Sequence, residues 1–395
     1  MKLHIDCNSY YASCEIATNP ELKVHPVVVA NMNEAGGGVI LALNAEAKRL
    51  GLKRGIPVFK AKPLLERYDV KMCRADHRKY KRISAEIMKA VQEQDLVVDF
   101  IQYSVDEFFG ELPLDDADEA RYYIQLIKDN ITAKTGIPVS CGYAETYTLA
   151  KVATHYAKHY AGYKGICVLM PENRERALSL LMINDVWGIG RKYQKMLLEN
   201  GITTAWELTQ KSEQWIHQHF TMTGWRTYKE LQGVPCIDLH RDSMQKSIMQ
   251  SHTFGYMIKD RETLLEQVKQ FTVRCAASLR EQEGECGSVM VFLGTNRHRP
   301  DLLQYHNSAT RKLRSRTVDT LELVKVAQEL LKEIYRGGFQ YKQAGVVLGD
   351  IKRVEGHQLD MFTVEEDEKR RRLMEVTDAI NKKFGVDTIE FGKNS

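Results

Sequence analysis

The sequence predicts an α+β protein in which two βαββαβ units flank a helical segment. Three observations carry that expectation. Short apolar runs alternate with amphipathic helical stretches in the order βαββαβ over residues 2–160, and the same order returns over 247–351. Between them, the stretch from about 170 to 232 reads as helices around a Gly-x-Gly turn.

Taken in order, residues 2–6 and 26–30 read as short buried strands, with helical turns over Ser9–Glu15 between them. Residues 42–54 and 60–68 are helical in pattern, punctuated by Gly51 and the Gly55-Ile56-Pro57 turn. An amphipathic helix over 77–94 leads to a hairpin, Val97–Tyr103 and Phe108–Leu112, turning at Ser104–Glu107. A helix (116–135), a strand (137–143) and a helix (147–160) complete the first unit, with 21–74 as an insertion. In Asp185-Val-Trp-Gly-Ile-Gly-Arg-Lys192 the spacing is that of a helix-hairpin-helix. Gly188 and Gly190 would let backbone N–H groups reach a phosphate, and Arg191 and Lys192 would add charge. After an aperiodic linker over 233–246, strands are predicted at 247–258, 285–296, 304–313 and 340–351 and helices at 260–283 and 318–336. The tail 357–395 ends in a helical pattern at 368–384.

At 395 residues the chain calls for two to four domains. Its 43% apolar and 27% charged residues are those of a soluble globular protein. No run approaches the roughly 18 apolar residues of a membrane helix, and Asp6 interrupts the N-terminal apolar run, which argues against a signal peptide. The eight cysteines form no C-x-x-C pair, as expected for reduced, buried thiols in a cytoplasmic protein. A net charge of +4 points only weakly to a polyanionic partner. The charge is local: Arg297, Arg299, Arg311, Lys312, Arg314 and Arg316 stand against a single acid, Asp301, between 297 and 316.

Three carboxylates stand out. Asp6 ends an apolar strand, and Asp106 and Glu107 lie in the hairpin turn, so the topology can bring all three to one edge. Clustered carboxylates repel unless a cation neutralises them, and hard oxygen donors beside phosphates select Mg²⁺. From spacing alone, a hydrophilic hairpin turn and a strand-end acid are the better reading.

The motifs around these acids reverse that preference. Asp6-Cys-Asn-Ser-Tyr-Tyr-Ala-Ser-Cys-Glu15 and Tyr103-Ser-Val-Asp-Glu-Phe108 resemble the two metal-binding motifs of Y-family translesion DNA polymerases, most closely the polymerase V (UmuC) type. The resemblance implies a right-hand polymerase: a ferredoxin-like palm (1–20 and 75–165), small fingers (21–74), a helix-hairpin-helix thumb (166–232), a linker (233–246) and a βαββαβ little finger (247–356). It also implies error-prone nucleotidyl transfer through two Mg²⁺ ions, without proofreading, in the SOS response. Asp6, Asp106, Glu107 and the Cys7 carbonyl would be metal ligands. Tyr11 would gate the sugar, Tyr10 would pack beside the nucleotide, and Lys48 and Lys158 would bind the triphosphate. Many relatives carry Tyr and Arg where this chain has Ala45 and Lys48, which thins the triphosphate clamp. Gln358-Leu359-Asp360-Met361-Phe362 resembles a sliding-clamp-binding peptide, and the family resemblance implies a UmuD′-type accessory subunit and RecA filaments as further partners beside primer-template DNA and dNTP. A self-sufficient polymerase IV-like enzyme, a non-catalytic DNA- and clamp-binding scaffold and a metal nuclease are the competing readings.

Overall fold

The computed structural model describes residues 1–32, 37–94, 96–239, 244–353, 372–374, 376–380 and 383. Two compact units divide the chain, Met1–Arg241 and Asp242–Ser395, with the break inside the expected linker.

The first unit opens with β1 (Lys2–Cys7) and α1 (Tyr10–Thr18). The fingers insertion follows as β2 (Val27–Met32), β3 (Gly38–Leu43), α2 (Ala45–Arg49), α3 (Val58–Arg67) and β4 (Lys71–Arg74). Its three strands form a separate sheet in the order β3-β2-β4. The expected helix over 42–54 is therefore corrected to the end of a strand and one short helix. Asn44 makes the break: its Oδ1 accepts from Ala47 N and Val27 N, at 3.0 and 2.9 Å, capping α2 where β3 stops.

The palm comprises β1 with α4 (His77–Gln92), β5 (Val98–Gln102), β6 (Glu107–Glu111), α5 (Ala117–Thr135), β7 (Val139–Ala144), α6 (Tyr147–His159) and β8 (Ile166–Val168). Strand order β5-β6-β1-β7 is the ferredoxin-like order, and β8 extends it alongside β7. Residues 166–168 thus belong to the palm sheet rather than to the thumb, where the sequence reading placed them. Side chains alternate across the sheet. Leu3, Ile5, Cys7 and Phe108 face α4 and α5 in a closed apolar core. Lys2, His4 and Asp6 face the opposite side, with Phe109 and Glu107 beside them, under α6. Gly142 on β7 permits the close approach of that helix, since a Cβ there would stand 2.2 Å from Ala150 O.

The thumb follows as α7 (Arg174–Leu180), α8 (Arg191–Glu199), α9 (Ala205–Thr209), α10 (Glu213–His219) and α11 (Met222–Leu231). Its apolar core is shared with α6.

The second unit contains β9 (Ser247–Ile258), α12 (Arg261–Glu281), β10 (Gly284–Thr295), β11 (His306–Thr317), α13 (Thr320–Ile334), β12 (Tyr341–Gly349) and the short β13 (Lys352–Arg353). Its element order repeats that of the palm, but the strands lie β11-β10-β12-β9 with every neighbour antiparallel. Val289, Val291, Leu293, Val346 and Leu348 close the core against α12 and α13. Met374 and Thr377 of the tail are buried, and Arg280 clasps Asp378 with two bonds of 2.5 and 2.8 Å. Gln358, Leu359, Asp360, Met361 and Phe362 lie outside the described residues.

Candidate active site in the palm cleft

In the antiparallel register of β1 and β6, Asp6 stands opposite Glu107 and His4 opposite Phe109. The Cys7 N–H donates to Asp106 O at 2.9 Å, which places the third acid at the same edge. Ser104 shapes the turn before it: its Oγ accepts from Asp106 N and Glu107 N, at 3.2 and 3.1 Å, and donates to Asp106 Oδ1 at 2.7 Å. At the end of β1, Ser9 adopts φ 49°, a left-handed conformation uncommon for a residue with a side chain. That bend starts α1, which carries Tyr10 and Tyr11.

α6 lays three side chains over this edge of the sheet with i, i+3, i+7 spacing. Lys151 Nζ stands 2.6 Å from Glu107 Oε1, Thr154 Oγ1 lies 2.8 Å from His4 Nδ1, and Lys158 Nζ stands 2.6 Å from Asp6 Oδ1. Tyr103 and Trp187 offer their rings to Lys151 at 5.1 Å each, with Phe109 at 5.6 Å, so this ammonium is desolvated on several sides. Burial opposes ionisation of Glu107, yet its neighbours His4 and Lys151 outweigh that, and the carboxyl is brought down to about 2. Lys151 is the decisive partner, because burial lowers the pKa of His4 and keeps its ring neutral. Backbone edges therefore adjoin as expected, but the Asp6 and Glu107 carboxylates are held by lysines and that of Asp106 by Ser104. Among the described residues no three His, Cys, Asp or Glu side chains close around one point.

A cleft of about 920 Å³ opens over this edge. One wall carries Asp6, Asp106 and Glu107, and the fingers contribute Lys48, Lys53 and Arg54. Tyr11 lines it, half-buried, stacked on Tyr80 with ring centroids 4.3 Å apart and edge-on to His77. Tyr10 is 3% exposed and donates to Tyr80 O at 2.7 Å, so it presents only a small surface to the cleft. Lys48 Nζ reaches Ser9 Oγ at 3.1 Å.

In the thumb, Gly188 has φ 87°, and Gly190 caps α8 without a side-chain hydrogen bond, leaving Arg191 and Lys192 on the first, exposed turn. In the second unit the six-cation run needs correction. Arg299 pairs with Asp301 at 2.6 Å, Arg316 with Asp350 at 2.8 Å, and Arg311 with Glu329 at 2.5 Å and with Glu333. Strand alternation explains Arg311, which faces α13 and its acids. Arg297, Lys312 and Arg314 form no ion pair among the described residues. The row Met249, Val347, Met290 and Thr310 crosses the sheet on the face opposite the helices, the face to which Lys312 and Arg314 project.

Comparison with known proteins agrees with this architecture. A chimeric Y-family DNA polymerase, Dbh-Dpo4(243-245)-Dbh, superposes with a TM-score of 0.71 at 22% identity, covering 89% of this chain and 99% of that one. The fold is thus that of the Y-family DNA polymerases. Residues 5–155 match the impB/mucB/samB family and residues 245–361 its C-terminal domain, and the chain belongs to that family. Protein UmuC of Salmonella typhimurium is 34% identical over 98% of this chain and 92% of its own length. DNA polymerase IV of Oceanobacillus iheyensis is 28% identical over 99% of this chain and 91% of its own.

Sequence reasoning passed over Lys151, His4 and Thr154. Two signals were available: the alternation Lys2-Leu-His4-Ile-Asp6 on an otherwise apolar strand, and the Lys151, Thr154, Lys158 spacing on a helix. Arg54, on the fingers, was also missed.

Proposed function

We propose that the chain is an error-prone, template-directed DNA polymerase that extends primer 3′ ends across damaged templates. The observation that carries this reading is the polarised cleft, with Asp6, Asp106 and Glu107 on one wall and Lys48, Lys53 and Arg54 on the other. Its volume suits a nucleoside triphosphate.

The acids fit Mg²⁺: every donor is a hard oxygen, and Glu107 is held ionised. Asp6, Asp106, Glu107 and the Cys7 carbonyl would hold two such ions. Bound there, Mg²⁺ supplies a lowered pKa for the primer hydroxyl and charge neutralisation for the triphosphate and leaving pyrophosphate. Tyr11 lies under the sugar and excludes a 2′-hydroxyl, and Tyr10 braces it from behind. Lys48, Arg54 and Lys158 take the phosphate charge, and Lys158 leaves Asp6 to do so. The backbone N–H groups at Gly188 and Gly190, with Arg191 and Lys192, grip a DNA phosphate. Arg297, Lys312 and Arg314 supply the counter-charge of the second unit, with Arg299, Arg311 and Arg316 engaged elsewhere.

Extension of a labelled primer past an abasic site by the purified chain with Mg²⁺ tests the reading. Extension that stops one nucleotide before the lesion would support it only as an ordinary polymerase, and no extension at all would leave the scaffold reading. The cytoplasm, the SOS response, a UmuD′-type subunit and RecA filaments complete the physiological setting we assign. Gln358–Phe362 is assigned to the sliding clamp: replacing Leu359, Met361 and Phe362 by Ala is expected to remove clamp stimulation and leave unassisted extension unchanged.

A further inference from the structure

We propose that His4 is a positioning residue for Glu107: its Nε2–H points at the carboxylate while Thr154 donates to Nδ1, so that Oε1 is held toward α6 and Oε2 is left for the cation. This rests on the reading of Glu107 as a metal ligand.

His4 is 2% exposed, and its Nε2 has no hydrogen-bond partner among the described residues. Glu107 Oε1 stands 3.6 Å from it, just beyond hydrogen-bond reach. An unpaired buried nitrogen is destabilising, so its placement calls for a reason. A proton on Nδ1 would aim the Nε2 lone pair at an ionised oxygen in a poorly solvated place. On Nε2, the same proton turns that approach into an attraction, and a small rotation of the Glu107 carboxylate closes the gap. Thr154 accommodates the second choice. Its hydroxyl lies closest to Nδ1, at 2.8 Å against 3.0 Å to Ala150 O and 3.4 Å to His4 O, and can donate there. Phe109, tilted against the ring at 4.6 Å between centroids, fixes the plane of the imidazole.

Lys151 bonds the same Oε1 that His4 faces, whereas Oε2 has no partner among the described residues. Two donors on one oxygen thus present the other. Groups that orient a ligand in this way typically change metal affinity about 10–100-fold when removed.

The test uses the full chain with Mn²⁺ alone, titrated by electron paramagnetic resonance without DNA or nucleotide, and ¹⁵N-histidine NMR. In the wild type, His4 is expected as the tautomer protonated on Nε2. His4→Leu, which keeps the site apolar and filled, is expected to weaken Mn²⁺ binding about 10-fold. His4→Gln, whose amide nitrogen reaches about as far as Nε2, is expected to restore most of it. A proton on Nδ1 alone, or unchanged affinity in His4→Leu, overturns the proposal. If His4→Leu does not fold, the wild-type tautomer decides. Glu107→Gln separates the two levels: loss of Mn²⁺ binding there with none in His4→Leu sinks only the role of His4. Retention in Glu107→Gln sinks the ligand assignment and the proposal with it.

Discussion

Glu230 and Thr148 are joined twice: the backbone N–H and the hydroxyl of Thr148 each donate to Glu230 Oε2 at 2.8 Å. The carboxylate is fully buried, and its Oε1 accepts from Ile237 N at 3.0 Å. A thumb residue thereby sits on the first turn of α6, where the helix dipole favours an anion, and ties the start of the linker to the same place. Removing this acceptor with Glu230→Ala leaves buried donors without a partner. We expect a loss of about 3 kcal/mol in urea unfolding of the first unit, and roughly 1 for Glu230→Gln, which keeps one acceptor oxygen.

Asp106 tests the metal assignment. Asp106→Asn is expected to abolish primer extension while leaving primer-template affinity nearly intact, because the phosphate contacts lie elsewhere. Near-wild-type extension by this mutant would remove Asp106 from the ligand set.

The exposed part of the Tyr11 ring tests sugar selection. Tyr11→Ala should raise incorporation of ribonucleotides relative to deoxyribonucleotides in single-nucleotide assays. Tyr80, on which the ring stacks, holds it in place, so Tyr80→Ala should give a weaker change in the same direction.

The second unit allows a discriminating pair. Neutralising Lys312 and Arg314 together should lower DNA affinity and flatten the slope of log K against log salt by about two counterions. Arg311→Ala should leave that slope unchanged, because Arg311 is committed to Glu329 and Glu333. Equal slope changes for the two variants would show that the helix-facing ion pairs open on DNA.

Glu107 gives a pH signature. Its carboxyl titrates near 2 in the folded chain against an ordinary value of 4.5. A depressed acid stabilises fully above its unfolded value and loses that contribution as pH falls through the folded one. The stability gap between wild type and Glu107→Gln should therefore hold steady above about pH 4.5 and shrink between there and about pH 2. A gap that grows on acidification would reverse the sign we assign.

Much of this was legible beforehand, for identifiable reasons. Strands such as Lys2–Cys7, Val139–Ala144, Gly284–Thr295 and Tyr341–Gly349 carry enough apolar residues to show themselves, and Asp6, Asp106 and Glu107 sat in recognisable motifs. Two of the three fingers strands did not show: Lys71–Arg74 has only four residues, Gly38–Leu43 runs straight into a helical pattern, and the pairing of both with β2 is tertiary information. The charge run at 297–316 misled because Glu329, Glu333 and Asp350, which neutralise part of it, are distant in sequence. His4 read as one polar residue in a strand until α6 was placed over it.

Gly142 has a consequence for how such a site can change. The helix bearing Lys151 and Lys158 rests where it does because that position has no side chain, and the available clearance is smaller than a methyl group. A single added carbon would act like a shim, lifting both lysines off their acids at once while touching neither. The grip of the site on its own charges can thus be loosened from a strand position that never meets a nucleotide, metal or DNA.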